Sequence, residues 1–359
     1  MRKITAMILA LVMTAALASP VLAVNEDVEG TLVIYTSMYP FAIEMMDEAI
    51  KEEFPNLTPG ADGSFFFYSG TSDLIKRIYG EMGPDHDQPL DCDMFMVAEP
   101  AFSLELKDYG YLHSYTIPDA ADRLRFAYDE EGSWYPVRVC NMVLAYNPEM
   151  EDEWAAKGVN IPKSFEDFAG DPSLKGYISM SDPETSGTAY AAVCGLVDHY
   201  GEEYLDHLHD NDVMRESGST AIGKLQTGEC AAIMILEESV LKFIHDEKEK
   251  GNEVNDLKVI YPDDGVILIP STIMTVAEEY SRNANPDAAE AVEDWLLTDD
   301  AQQIILKGFM HSVLSDMKEC PEGSIDTDEL VGRNLDIDWE NAYKNREQIL
   351  ELWREKVTR

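Results

Sequence analysis

Two long apolar extended segments, Tyr135–Tyr146 and Gly265–Val276, constrain the fold of this chain more than any other feature. Strands of roughly five or six residues are usual, and both segments exceed that. Between them lies a block with strand–helix units of its own, and a similar block precedes the first. Strands alternating with helices imply parallel pairing and an open, doubly wound sheet. A chain that crosses twice between two such blocks builds two α/β lobes joined by a two-segment hinge. A cleft between the lobes follows.

In the first block, Thr31–Tyr35 reads as a short strand stopped by Thr36-Ser37-Met38-Tyr39-Pro40, with a helix over Ala42–Phe54. Phe65–Tyr68 is an aromatic strand, and Ser69-Gly70-Thr71 follows it. Leu74, Ile75, Ile78 and Met82 then recur at helical spacing. Met94–Val97 is a further strand, ending at Ala98-Glu99-Pro100 before a helix through Lys107. In the second block, Tyr177 and Ile178 run into Ser181-Asp182-Pro183, which cannot continue a central strand. Ser186-Gly187-Thr188 then opens an apolar helix. Ser217-Gly218-Ser219 precedes a short helix, and the strand Ala231–Leu236 stops at Glu237-Glu238-Ser239 before a helix over 240–249. Asp338–Val357 reads as one charged amphipathic helix.

Open α/β sheets bind ligands outside the carboxyl ends of their strands. The polar turns at those ends are rich in Ser, Thr, Gly and Glu. At Ser186-Gly187-Thr188 a helix start offers unpaired N–H groups and a partial positive charge. Glycine admits close approach there, and the hydroxyls add donors, which together suit an anion. An ordinary N-cap would also explain this one turn, but Ser69-Gly70-Thr71 repeats it. The expected ligand-binding residues are Thr36, Ser37, Ser69, Gly70, Thr71, Glu99, Ser186, Gly187, Thr188, Ser219 and Glu237. Neutral donors with no fixed cation suit a phosphoryl or phosphonyl group. Glu99 and Glu237 would read the rest of the solute.

Met1-Arg-Lys3, an apolar run from Ile4 to Leu17 and Val21-Leu22-Ala23 together read as a secretory signal peptide cleaved near Ala23. A periplasmic or extracellular protein is expected. Without the signal peptide, 25 basic residues face 69 acidic ones, a formal charge of −44. Such a surface repels nucleic acid and anionic lipid. The five cysteines Cys92, Cys140, Cys194, Cys230 and Cys320 form no CxxC pair and no metal-ligand spacing, and no disulfide is assigned.

The chain resembles the periplasmic substrate-binding proteins of ABC importers, closest to the ferric-iron-binding type. That group also includes receptors for phosphorylated sugars, phosphonates, polyamines and thiamine. The resemblance covers nearly all of the exported chain. It rests on the signal peptide, Val33-Ile-Tyr-Thr-Ser37, Asp91-Cys-Asp-Met94 with Glu99, Leu144-Ala-Tyr-Asn147, Asp182-Pro-Glu-Thr-Ser-Gly-Thr188 and Lys224-Leu-Gln-Thr-Gly-Glu229. It implies the type 2 periplasmic-binding-protein fold, no enzymatic activity, a membrane permease as partner and a monomer. It also implies an anion seat at Ser186-Gly187. Ferric relatives grip iron with a Tyr-Tyr pair where this chain has Glu237-Glu238. Bound Fe³⁺ with a synergistic anion, held by Glu99, Glu237 and Glu238, stays open as the alternative to an organic phosphate or phosphonate. An exported enzyme or a sensor on the same scaffold is the reading from another class. His199, His207 and His209 are the nearest thing to a metal cluster, but His207 and His209 do not share a helix face.

The expected boundaries are residues 1–23 for the signal peptide, 24–136 plus 272–330 for one lobe and 142–265 for the other. Residues 331–359 form a C-terminal helical segment packed on the lobes.

Overall fold

The computed structural model describes residues 25–251 and 257–358. The expected signal peptide and its cleavage near Ala23 lie outside these residues. The strands are β1 (Gly30–Thr31), β2 (Ile34–Thr36), β3 (Leu57–Thr58), β4 (Phe66–Tyr68), β5 (Met94–Val97), β6 (Tyr135–Tyr146), β7 (Ile178–Met180), β8 (Met214–Arg215), β9 (Ala232–Leu236), β10 (Lys258–Ile260) and β11 (Ile267–Thr275). β1 and β3 pair alone. The others follow one hydrogen-bonded path, β4-β2-β5-β11-β6-β9-β7-β8, with β10 added beside β6.

That path has two similar halves. In one, β4, β2 and β5 run parallel and β11 closes them antiparallel. In the other, β8, β7 and β9 run parallel and β6 closes them antiparallel. The two long strands then pair with each other, with a register irregularity between Ser271 and Thr272. The sheet is therefore continuous, where two separate sheets would follow from the crossing pattern alone. The reason is length: strands that serve both halves have residues to spare for pairing with each other.

Each half buries its own apolar layers on both faces. β6 changes allegiance along its length. Tyr135, Val137 and Val139 join the layer of the first half, and Cys140, Met142 and Leu144 join that of the second. Eleven of its twelve residues are buried, which explains its near-continuous apolar sequence.

Three elements differ from the sequence reading: the strand expected over Thr31–Tyr35 divides into β1, paired with β3, and β2, paired with β4 and β5, and two helices change. The helix expected over 240–249 starts at Glu237, so Glu237 and Glu238 form its first turn. Acidic side chains are favoured at that position by the helix dipole. The C-terminal helix breaks at Asn345 into Trp339–Lys344 and Arg346–Val357. Its two parts pack on different partners: the first on the helix Pro100–Asp108, the second on the helix Glu203–Asp210. Asp338 caps the first part by accepting from the N–H of Asn341 at 2.9 Å. All five cysteines are free, with Cys194 and Cys230 buried as small core residues.

Candidate functional site

A cavity of about 880 Å³ opens between the two halves at the carboxyl ends of their parallel strands. Five helices start on its wall: Pro40–Glu53, Thr71–Met82, Gly187–Tyr200, Gly218–Thr227 and Glu237–Glu249. The sequence dictates this, because each strand is stopped by a polar turn that becomes the next helix start. The first N–H groups of a helix have no partner within it. Where several helix starts converge, their donors and partial positive charges add.

Of the residues expected to bind ligand, Ser37, Gly70, Thr71, Ser186, Gly187, Thr188 and Ser219 line the cavity. Ser186 also caps its own helix, accepting from the N–H of Ala189 at 3.2 Å, so the ordinary capping role is present beside the lining one. Gly187 is under a tighter constraint than close approach of a ligand. A Cβ there would lie 2.5 Å from Thr71 Cγ2 and 2.6 Å from Glu99 Oε2. The two Ser-Gly-Thr turns thus touch directly at Gly187.

Thr36, Ser69, Glu99 and Glu237 are not part of the cavity wall, and each has a local explanation. The buried Thr36 hydroxyl donates to the Met96 carbonyl at 3.1 Å and accepts from the N–H of Met38 at 3.0 Å. Ser69 ties β4 to β2, its N–H donating to the Thr36 carbonyl at 3.1 Å. Glu99 is fully buried behind Gly187 and paired with Arg346 of the C-terminal helix. Burial raises its carboxyl above the ordinary value, against the pull of Arg346.

Glu237 was expected to face a ligand. Instead its two oxygens accept from Asn141 Nδ2 at 2.9 Å, Tyr261 OH at 2.5 Å, Ser324 Oγ at 2.5 Å and His311 Nε2 at 3.0 Å. Burial alone would raise its carboxyl, but hydrogen bonds from His311, Ser324 and Tyr261 and the attraction of His311 hold it below the ordinary value. The next residue is the one that faces the cavity: Glu238 is 1% exposed and lines the wall. Burial raises its carboxyl, opposed chiefly by Arg138. Consecutive residues on a helix point about 100° apart, which separates the two glutamates.

The cavity also holds cations that the sequence reading missed. Arg138, Arg215 and Lys242 line it. Arg215 reaches Asp182 at 3.6 Å, and Lys242 pairs with Asp246 and lies 4.7 Å from the centre of the Phe41 ring. Arg138 is different. It is 1% exposed, its Nη1 donates only to the sulfurs of Cys140 and Met310 at 2.9 Å each among the described residues, and its Nε has no partner there. The signal was present in the sequence: one charged residue among twelve strand residues that are otherwise apolar or aromatic save for Asn141. A buried charge needs a counter-charge.

Among the described residues no three His, Cys, Asp or Glu side chains gather as a metal site. His209 instead lies 3.4 Å from the Val357 carbonyl, and His199 packs edge-on against Tyr200.

Comparison with known proteins agrees with this architecture. The family described as bacterial extracellular solute-binding protein matches residues 92–330. An uncharacterized protein of Haemophilus influenzae is 25% identical over 362 residues, covering 97% of each chain. The periplasmic binding protein AfuA from Actinobacillus pleuropneumoniae, solved with exogenous fructose-6-phosphate, superposes with a TM-score of 0.74 at 22% identity, over 92% of this chain and 99% of that one. Iron-bound HitA from Pseudomonas aeruginosa gives 0.73 at 20% identity, over 91% and 99%. These likenesses establish the α/β fold of the type 2 periplasmic binding proteins. With the family match extending over most of the chain, the protein is a member of the bacterial extracellular solute-binding family.

Proposed function

We propose that the protein is the periplasmic or extracellular binding component of an ABC import system. It captures a phosphorylated or phosphonate-type organic anion between its lobes and delivers it to a membrane permease. The observation that carries this reading is Arg138, a buried guanidinium on the cavity wall with no protein partner for its Nε among the described residues. Glu238 gives Arg138 a partial counter-charge, an anionic group on the solute adds a second one, and the converging helix starts add neutral donors. The volume supports an organic body as well, since small-molecule sites span roughly 300–1,000 Å³. A similar fold carrying fructose-6-phosphate is consistent with it.

The lobes of this reading are residues 24–136 plus 272–330 and residues 142–265, hinged where β6 and β11 pass between them. The change of apolar layer between Val139 and Cys140 supports that hinge position.

The ferric alternative has the iron-bound relative in its favour. It has less support from the side chains. Of Glu99, Glu237 and Glu238, only Glu238 lines the cavity; Glu99 Oε1 is held by Arg346, and Glu237 already accepts four hydrogen bonds.

Calorimetry against sugar phosphates, aminoalkyl phosphonates and ferric citrate tests the choice. Binding of phosphate or phosphonate esters, with compaction in solution scattering, is expected. Tight ferric binding with no response to any ester would reverse it.

A further inference from the structure

Three buried polar atoms belonging to cavity-lining residues lack a protein partner among the described residues: Arg138 Nε, Glu238 Oε1 and Glu216 Oε2. The first is a donor and the anion seat proposed above uses it. The other two are acceptors that the anion seat leaves unused. A carboxylate oxygen has nothing to donate, so a phosphoryl group does not satisfy it.

Both carboxylates are held in place by their surroundings. Glu216 keeps its other oxygen, Oε1, on Lys224, and its side chain is 21% exposed. Glu238 sits in the first turn of the helix Glu237–Glu249, 1% exposed. Arg138 attracts the Glu238 carboxylate and the Cys140 thiol lies beside it, yet Oε1 keeps no hydrogen-bond partner among the described residues, and the remaining cations are engaged elsewhere. Arg215 is engaged with Asp182, Lys242 with Asp246, and Lys224 with the opposite oxygen of Glu216.

We infer that Glu216 and Glu238 are specificity-determining residues that accept hydrogen bonds from the body of the solute, so the ligand is an anion whose body carries hydroxyl or ammonium donors. A bare alkyl body would leave both oxygens unpaired, and a carboxylate body would repel them. The inference rests on the anion seat at Arg138, but the two have separate failures.

Calorimetry with propyl phosphate, glycerol phosphate and aminopropyl phosphate reads the effect. The hydroxyl or amino compound should bind on the order of ten- to a hundredfold more tightly than propyl phosphate, the range for a hydrogen bond to a charged group. Glu238→Gln and Glu216→Gln should each remove most of the amino compound's advantage over propyl phosphate and less of the hydroxyl compound's. Melting temperatures, with Glu238→Met as a second variant, separate loss of the contact from loss of folding. A larger loss for the amino compound than for the hydroxyl compound identifies an ammonium partner, because the amide of Gln still accepts from a hydroxyl. If esters bind but propyl phosphate matches the others, or the amino compound's advantage survives both Gln variants and the hydroxyl compound's survives Glu238→Met, the assignment of Glu216 and Glu238 is overturned. If no ester binds at all, the anion seat falls and the assignment falls with it.

Discussion

The two walls of the cavity are built alike and equipped differently. On the side of β2 and β4 the lining is neutral: Ser37, Tyr39, Tyr68, Gly70 and Thr71. On the side of β7 and β9 it is charged, with Asp182, Arg215, Glu216, Glu238 and Lys242, and Arg138 stands between the walls on β6. Both walls come from strands that end in helix starts, so topology does not explain the contrast. Under the proposed function, the charged wall reads the solute and the neutral wall closes over it.

The strongest way to break this contrast is to change one residue from each class. Arg138→Met should weaken binding of a phosphate ester by about a hundredfold or more, as befits loss of charge-assisted hydrogen bonds. Thr71→Val on the neutral wall should cost about two- to tenfold. Equal losses in calorimetry would end the proposed division.

Closure itself is the next target. Gly187→Ala places a Cβ 2.5 Å from Thr71 Cγ2. Overpacking of this kind costs about 1–3 kcal/mol, and the cost falls where the two turns touch. The melting temperature should fall, and binding should weaken by up to roughly ten- to a hundredfold where the cavity depends on this contact. Thr71→Gly in the same chain should recover part of the loss. Wild-type affinity in Gly187→Ala would mean that the two turns do not need to meet.

Glu237 sharpens the comparison from behind the charged wall, where its partners are all protein groups. Glu237→Gln should destabilise the fold by about 1–3 kcal/mol and leave the solute contact intact. The sign with pH follows from its carboxyl, which lies below the ordinary 4.5 in the folded state. Its stabilisation is present above about 4.5, the unfolded value, and is lost as pH falls through the lower folded value. Chemical denaturation from pH 3 to pH 7 should show a shallower acid limb in the variant. An unchanged limb would assign the acid sensitivity to other groups.

Ser186→Ala should have the smallest effect. Losing the cap costs about 1 kcal/mol of stability, and affinity should change only a few-fold. A large loss of affinity would make its hydroxyl a ligand contact in its own right.

Much of this architecture was legible in the chain. The crossover segments, the strand–turn–helix units and seven lining residues follow from local pattern, since period, apolar runs and turn chemistry are local. Arg138 was legible in principle, as a lone charge in a buried strand, but its meaning depended on what surrounds it. The fates of the two glutamates were not legible. Adjacent in sequence and alike in chemistry, they are separated by helical phase. Glu237 is claimed by Asn141, Tyr261, His311 and Ser324, which lie 96, 24, 74 and 87 residues away.

Glu99 teaches the same lesson from the other side. Its position at a strand end made it a candidate ligand, and Arg346, 247 residues later, takes its Oε1, while Oε2 is buried against Gly187 with no partner among the described residues. By itself the sequence determined the kind of elements, their order and the polar character of the turns, because these depend on neighbours along the chain. Only the tertiary structure decided which polar groups are satisfied by the protein and which are left open to a solute. Hydrogen-bond partners at such separations are set by packing, and no local pattern encodes them.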